Sequence, residues 1–151
     1  MFLPKRFQVE IKANDEGERV VVLTRGMDGC LYLFTEDGAD EAVRVIDPQA
    51  FTPQERRHLQ RLFFRYTAKI TLDAAGRLLL PERFRELAGI EDEVVMVGMD
   101  TWIELWSAKS WAAFLGQHGQ RFDELEETLW QGPRGQAPEG GRGPGSRGSL
   151  Q

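Results

Sequence analysis

At 151 residues and 17.2 kDa, with 41% apolar and 28% charged residues, the chain has room for one ordinary domain or two very small ones and the composition of a folded globular protein. A net charge of -5 excludes a uniformly basic nucleic-acid binder, while leaving room for a basic tip on an acidic body. The single cysteine, Cys30, excludes an intramolecular disulfide and a Cys-based zinc site. No apolar run reaches membrane-span length and no signal-peptide core is visible, so the expectation is a cytoplasmic protein with no membrane contact.

The chain opens on MFLPKRF. Set beside LLLPERF, it matches at Leu3/Leu80, Pro4/Pro81, Arg6/Arg83 and Phe7/Phe84, always 77 residues apart. The polar stretch KANDEGER follows and reads as a loop. The apolar strand Val20 to Leu23 then leads into GMDGCLYLF, whose counterpart GMDTWIELW begins 72 residues later, after Val94 to Val97. The chain is therefore two copies of one unit of roughly 40–50 residues, and the first copy carries five extra loop residues. TEDGADEAVRVIDPQAF reads as a poor helix followed by a turn at Asp47-Pro48. Thr52-Pro53-Gln54-Glu55 opens the next helix with the capping-box pattern and Pro at the first position. Leu59, Leu62, Phe63 and Tyr66 form a core-facing stripe on it, opposite Arg56, Arg57, Gln60 and Arg61. This helix is expected to link the halves and pack beneath them.

Lys69 to Arg85, KITLDAAGRLLLPERFR, is the most informative stretch. Ile70 and Leu72 alternate with Lys69 and Thr71 as in a half-buried strand. Asp73 to Gly76 fits a type I turn in which the Asp carboxylate accepts a backbone N–H, and Gly76 supplies the left-handed conformation a hairpin loop often needs. Leu78-Leu79-Leu80 is apolar throughout and is expected to be a strand covered on both faces. Pro81 begins a short helix that Gly89 stops. The unit is then strand, turn, strand, helix, with Arg77 beside the tip. A second long helix follows Trp106, capped by Ser107 or Ser110, with Trp111, Phe114, Leu115, His118, Phe122, Leu125 and Leu129 at helical spacing. The last 21 residues hold seven Gly and three Pro and no bulky apolar residue before Leu150, the composition of a disordered tail.

The string D-x-x-G-R, three apolar residues, P-x-x-F, here Asp73, Gly76, Arg77, Leu78 to Leu80, Pro81 and Phe84, resembles the SpoVT-AbrB type of DNA-binding domain. Two tandem copies in so short a chain, with the RGMDGCLYLF segment and the helix before the second copy, resemble the MraZ family from Met1 to about Leu129. The resemblance implies a mainly β fold with α: tandem swapped-hairpin units in a pseudo-dimeric barrel with packing helices. It divides the chain into a first repeat at 1–47, a linking helix at 48–67, a second repeat with its helix at 68–130 and the tail at 131–151. It further implies a transcriptional regulator of the division and cell-wall gene cluster, associated with the nucleoid, whose homo-oligomeric ring grips promoter DNA repeats. One departure stands out: Met1 lies opposite Leu78, so the first strand and first D-x-x-G-R turn are missing from the first copy. A start codon called inside the gene and a true truncation compete as explanations. A hairpin lacking one strand leaves unpaired backbone groups, which predicts a poorly formed first half.

Arg77 is the principal candidate for DNA contact, because a guanidinium at a tip reaches phosphate oxygens or pairs with guanine through two hydrogen bonds. The bland alternative is an exposed arginine flanking a turn. Lys69 on the facing strand and Arg83 on the short helix are secondary candidates against the default of a solvated face. Asp73, Gly76 and Pro81 are architectural. No cofactor, metal or catalytic group is expected: His58 and His118 lie on separate helices, Cys30 reads as a buried small hydrophobe, Glu91-Asp92-Glu93 reads as a solvated loop, and no phosphate-binding glycine loop is present. The leading reading is a DNA-binding regulator. A self-assembling scaffold that lost DNA binding with its first turn is the alternative, and an antitoxin-like protein with a toxin-binding tail is more remote.

Overall fold

The computed structural model describes residues 1–45 and 49–130. It comprises two compact units, 1–112 and 113 onward. The first contains helix α1 (Lys5–Glu10), strands β1 (Val20–Arg25) and β2 (Leu31–Thr35), helices α2 (Glu36–Val45) and α3 (Pro53–Arg65), strand β3 (Thr67–Thr71), helix α4 (Glu82–Ala88), and strands β4 (Val94–Gly98) and β5 (Trp102–Ser107). Helix α5 (Ala108–Trp130) begins there and supplies the described part of the second.

The five strands form one antiparallel sheet in the order β3-β1-β2-β5-β4, with β3 and β4 at its ends. The two sequence halves meet at its centre, where β2 pairs with β5, Leu33 opposite Ile103. Alternation puts Val21, Leu23, Leu31, Leu33, Ile103 and Leu105 on one face. There they pack with Leu3, Phe7 and Ile11 from around α1 and with Leu72, Leu78, Leu80, Phe84 and Ile90 from the turn-to-α4 region. Each such side chain, taken fully out of water, contributes about 1.5–3 kcal/mol. The opposite face carries an aromatic group in which Trp102 lies 5.8 Å from Tyr32 and 6.1 Å from Phe34 between ring centres.

Local chemistry sets the helix ends. Thr52 Oγ1 accepts from the Glu55 backbone N–H at 3.2 Å and Glu55 Oε2 accepts from the Thr52 N–H at 2.8 Å, the reciprocal capping box of α3. Ser107 Oγ accepts from the Ser110 N–H at 3.0 Å at the start of α5, which selects Ser107 as the cap. Gly89 ends α4 at φ 64°, the left-handed conformation that glycine adopts without a Cβ penalty. Glu36 to Val45 is a helix of 10 residues. The expected turn at Asp47-Pro48 and the expected disordered tail at 131–151 lie outside the described residues.

Three expectations are corrected. First, β3 does not fold back on Leu78 to Leu80. It pairs with β1, Ile70 opposite Val21, and the Leu72 N–H continues the pairing to the Arg19 carbonyl at 2.8 Å. Residues 77 and 78 pair instead with the N-terminus: Phe2 bridges Arg77, the Leu78 N–H donates to the Met1 carbonyl at 2.8 Å, and the Met1 amino group donates to the Leu78 carbonyl at 2.7 Å. Leu78 and Leu80 are buried but Leu79 is 85% exposed, because the segment lays one face on the core. Second, the first half is well formed rather than poorly formed, since Leu3 and Phe7 anchor the α1 region in the core and Met1 and Phe2 pair as just described. Third, α3 buries no side chain: its Leu59, Leu62 and Phe63 are exposed, so this stripe is not a core-facing one.

Candidate nucleic-acid interface

The turn after β3 is held together by Asp73. Its carbonyl accepts from the Gly76 N–H at 2.9 Å, which closes the turn, and its own N–H donates to the Arg77 carbonyl at 3.0 Å. Asp73 Oδ1 accepts from the backbone N–H groups of Ala75 at 2.9 Å and Arg77 at 2.8 Å. These hydrogen bonds, that from the Arg77 N–H first, hold the Asp73 carboxyl below the usual carboxylate range. Gly76 sits at φ 76°, where an L side chain is strained, and an added Cβ would run into Gln8 Oε1 of α1.

Arg77 is positioned by the same carboxylate. Its Nε donates to Asp73 Oδ2 at 2.6 Å, and its guanidinium carbon stands 5.7 Å from the centre of the Phe2 ring, within cation–π range. The side chain remains 56% exposed. No hydrogen bond joins its terminal Nη groups to another described residue, so the fork is held at its root and its two outer amines have no hydrogen-bond partner among the described residues. That pair of amines is the part of arginine that matches two phosphate oxygens or the O6 and N7 of guanine.

The other sequence candidates are held elsewhere. Lys69 stands in the middle of β3, opposite Val22, and its Nζ pairs with Glu36 Oε1 of α2 at 2.8 Å. That hydrogen bond raises the lysine's pKa and keeps its charge engaged with α2. Arg83 lies exposed on α4 with its guanidinium 4.8 Å from the Phe84 ring centre. Pro81 occupies the N-cap of α4 in an extended conformation, and Phe84 is buried below it.

Arg19 was not singled out by sequence. Because β3 pairs with β1, its Nη2 comes within 3.3 Å of the place a Cβ on Gly76 would occupy, so the first half supplies a second guanidinium beside the second half's turn. No local pattern marks it; its placement depends on a pairing between residues more than fifty positions apart. Among the described residues no group of His, Cys, Asp or Glu is arranged to hold a metal ion, and no helix is long and apolar enough to cross a membrane. Cys30 is buried, its Sγ donates to the Met27 carbonyl at 3.0 Å, and burial pushes its pKa up to about 12, which leaves it a poor nucleophile.

Comparison with known proteins adds an independent line. Residues 63–131 match the family model described as "MraZ protein, putative antitoxin-like". The transcriptional regulator MraZ of Carboxydothermus hydrogenoformans is 35% identical over 129 residues, covering 85% of this chain and 86% of its own. That of Mycoplasmoides gallisepticum is 35% identical over 124 residues, 82% of this chain and 87% of its own. That of Symbiobacterium thermophilum is 34% identical over 113 residues, 75% and 81% respectively. With a mainly β fold of antiparallel strands and helices built from two sequence repeats, and with this identity over most of both chains, the chain belongs to the MraZ family.

Proposed function

We propose that this protein is a DNA-binding transcriptional regulator that contacts promoter repeats through the Asp73–Arg77 turn. The observation that carries the reading is the half-exposed Arg77 side chain, anchored through Nε on Asp73 with its outer amines making no hydrogen bond to a described residue. Anchoring removes much of the rotamer freedom that a free arginine would lose on binding, so the contact costs less to form. Arg83 and Arg19 can add phosphate contacts, and Lys69 can do so once Glu36 releases it. The names of the relatives support the regulatory role. One turn makes too few contacts for tight binding, so a homo-oligomer presenting several turns to repeated sites fits the chemistry best. In this reading the two repeats, 1–47 and 68–130, joined by the segment 48–67 that contains α3, form the DNA-binding body. The target is the promoter of the division and cell-wall gene cluster, the ring is the assembled form, and the protein works in the cytoplasm on the nucleoid without cofactor or catalysis.

The test is binding of the full chain to its own upstream promoter fragment across a salt series, beside Arg77→Ala, with mass in solution measured for both. The expected result is wild-type binding that weakens with salt, and at least a tenfold loss in the variant with assembly unchanged, as suits an arginine contact worth about 1–3 kcal/mol. Equal binding by the two proteins overturns the role of Arg77. Assembly of both with binding by neither makes the chain a scaffold.

A further inference from the structure

Beside the turn, two extended segments from different halves of the chain run against each other. Phe2 bridges Arg77, and the Leu78 N–H donates to the Met1 carbonyl. Extended backbone sends successive side chains to opposite faces. Leu3, Leu78 and Leu80 go inward and join the core. Phe2, Arg77 and Leu79 go outward: Phe2 is 63% exposed and Leu79 85%. A single exposed phenylalanine needs no explanation by itself. What this one touches is the point, since its ring lies under the Arg77 guanidinium at 5.7 Å.

Arg77 is thus held by two groups of different kinds. Asp73 Oδ2 accepts from its Nε, and the Phe2 ring meets the guanidinium through its π face. One hydrogen bond fixes one point and leaves a planar group free to swing about that bond. A ring contact restrains the swing. The distinction matters for what arginine recognises. Phosphate attraction needs the charge near the backbone, whereas two parallel hydrogen bonds to one base edge need the plane of the fork fixed.

We propose that Phe2 is a positioning residue for Arg77: its ring holds the guanidinium so that both outer amines meet the paired acceptors of one guanine. Phe2 then sets the sequence preference of the turn more than its overall affinity. The inference rests on the proposed DNA contact of Arg77 and names the kind of contact made there, together with the first-half residue that enables it.

The experiment uses the full chain, with binding measured at one salt concentration to its own upstream promoter fragment and to an unrelated fragment of equal length. The variants are Phe2→Leu, Phe2→Tyr, Phe2→Trp, Leu79→Ala and Arg77→Ala, together with protein carrying 3,4,5-trifluorophenylalanine at position 2. Thermal unfolding and sedimentation verify fold and mass. Phe2→Leu should lose about two- to fivefold on the promoter, the size of an exposed cation–π contact, and nothing on the unrelated fragment. Phe2→Tyr and Phe2→Trp keep a π face and should bind as wild type or better. The trifluoro ring has nearly the same shape but a depleted π face, so it should behave like Phe2→Leu. A merely structural role would not respond to fluorination. Leu79→Ala, on the same outward face but without a ring, should change little. On the Arg77→Ala background, Phe2→Leu should have no further effect.

Wild-type binding by the trifluoro protein overturns the proposal. So does an equal loss on both fragments, or a loss with Leu79→Ala that matches Phe2→Leu, since either makes the ring a general apolar contact. Loss with Arg77→Ala but with none of the Phe2 variants defeats this inference and leaves the DNA contact of Arg77 standing. Unchanged binding by Arg77→Ala defeats both.

Discussion

Strands β1 and β4 occupy corresponding places in the two repeats, and they meet different fates. Leu23 of β1 faces Leu33, and Met96 of β4 faces Leu105, the residue 72 positions beyond Leu33. Their sequences, VVVLTR and VVMVG, are equally apolar at the core. Yet four consecutive residues of β1 are buried, and none of β4 is more than partly so. The difference is one neighbour. β1 lies between β2 and β3, whereas β4 is paired with β5 alone among the described residues and ends the sheet. Burial of a strand residue is thus a property of what lies beside it as much as of its own hydrophobicity. The same asymmetry explains the turn. The strand that covers β1 belongs to the second half, and it carries Asp73 to Arg77 onto the flank of the first half, against Gln8 and Arg19.

The largest effect that sharpens this comparison is in the core. Leu23→Ala should cost about 2–5 kcal/mol, the usual range for a fully buried leucine, and Met96→Ala should cost well under half of that. Denaturant midpoints at unchanged slope measure both, and equal losses would show that β4 is as covered as β1. Next comes the seat of the turn on the first half. Gly76→Ala meets both a positive φ and the Gln8 side chain, so it should cost more than the roughly 1 kcal/mol of a left-handed glycine replaced where nothing is near. Gly89→Ala is that control, with φ 64° and open space around the added Cβ. Equal costs at the two glycines would mean that the turn does not press on α1. The smallest effect is the pH response of Asp73. Its folded pKa lies below the ordinary 3.8. Its hydrogen bonds therefore stabilise the fold fully above the ordinary value, and that contribution fades as pH falls through the lower folded value. The stability difference between wild type and Asp73→Asn should accordingly be constant near neutral pH and shrink in acid; a difference that grows on acidification would reverse the sign of the argument.

Hydrogen bonds that close over three or four residues were legible in the sequence. The Thr52–Glu55 capping box, the Asp73-to-Gly76 turn and the stop at Gly89 all follow from donors and acceptors that the chain's own geometry brings together. The repeat was legible too, because two copies of one pattern lie in one chain. Less could be read of the candidate site. Asp73, Gly76 and Arg77 stood out together, but the ion pair that draws Lys69 to Glu36, 33 positions away, left no mark. Arg19 was invisible for the same reason.

Sequence alone thus determined the local elements, the repeat and the family, since each depends on residue type and short spacing. Tertiary structure decided which strand covers β1, why Leu79 and the α3 stripe meet water, and which ring the Arg77 guanidinium lies over. Those outcomes depend on pairings between segments far apart in the chain. There, several apolar strands are chemically equivalent partners, and only the simultaneous packing of the whole core chooses among them.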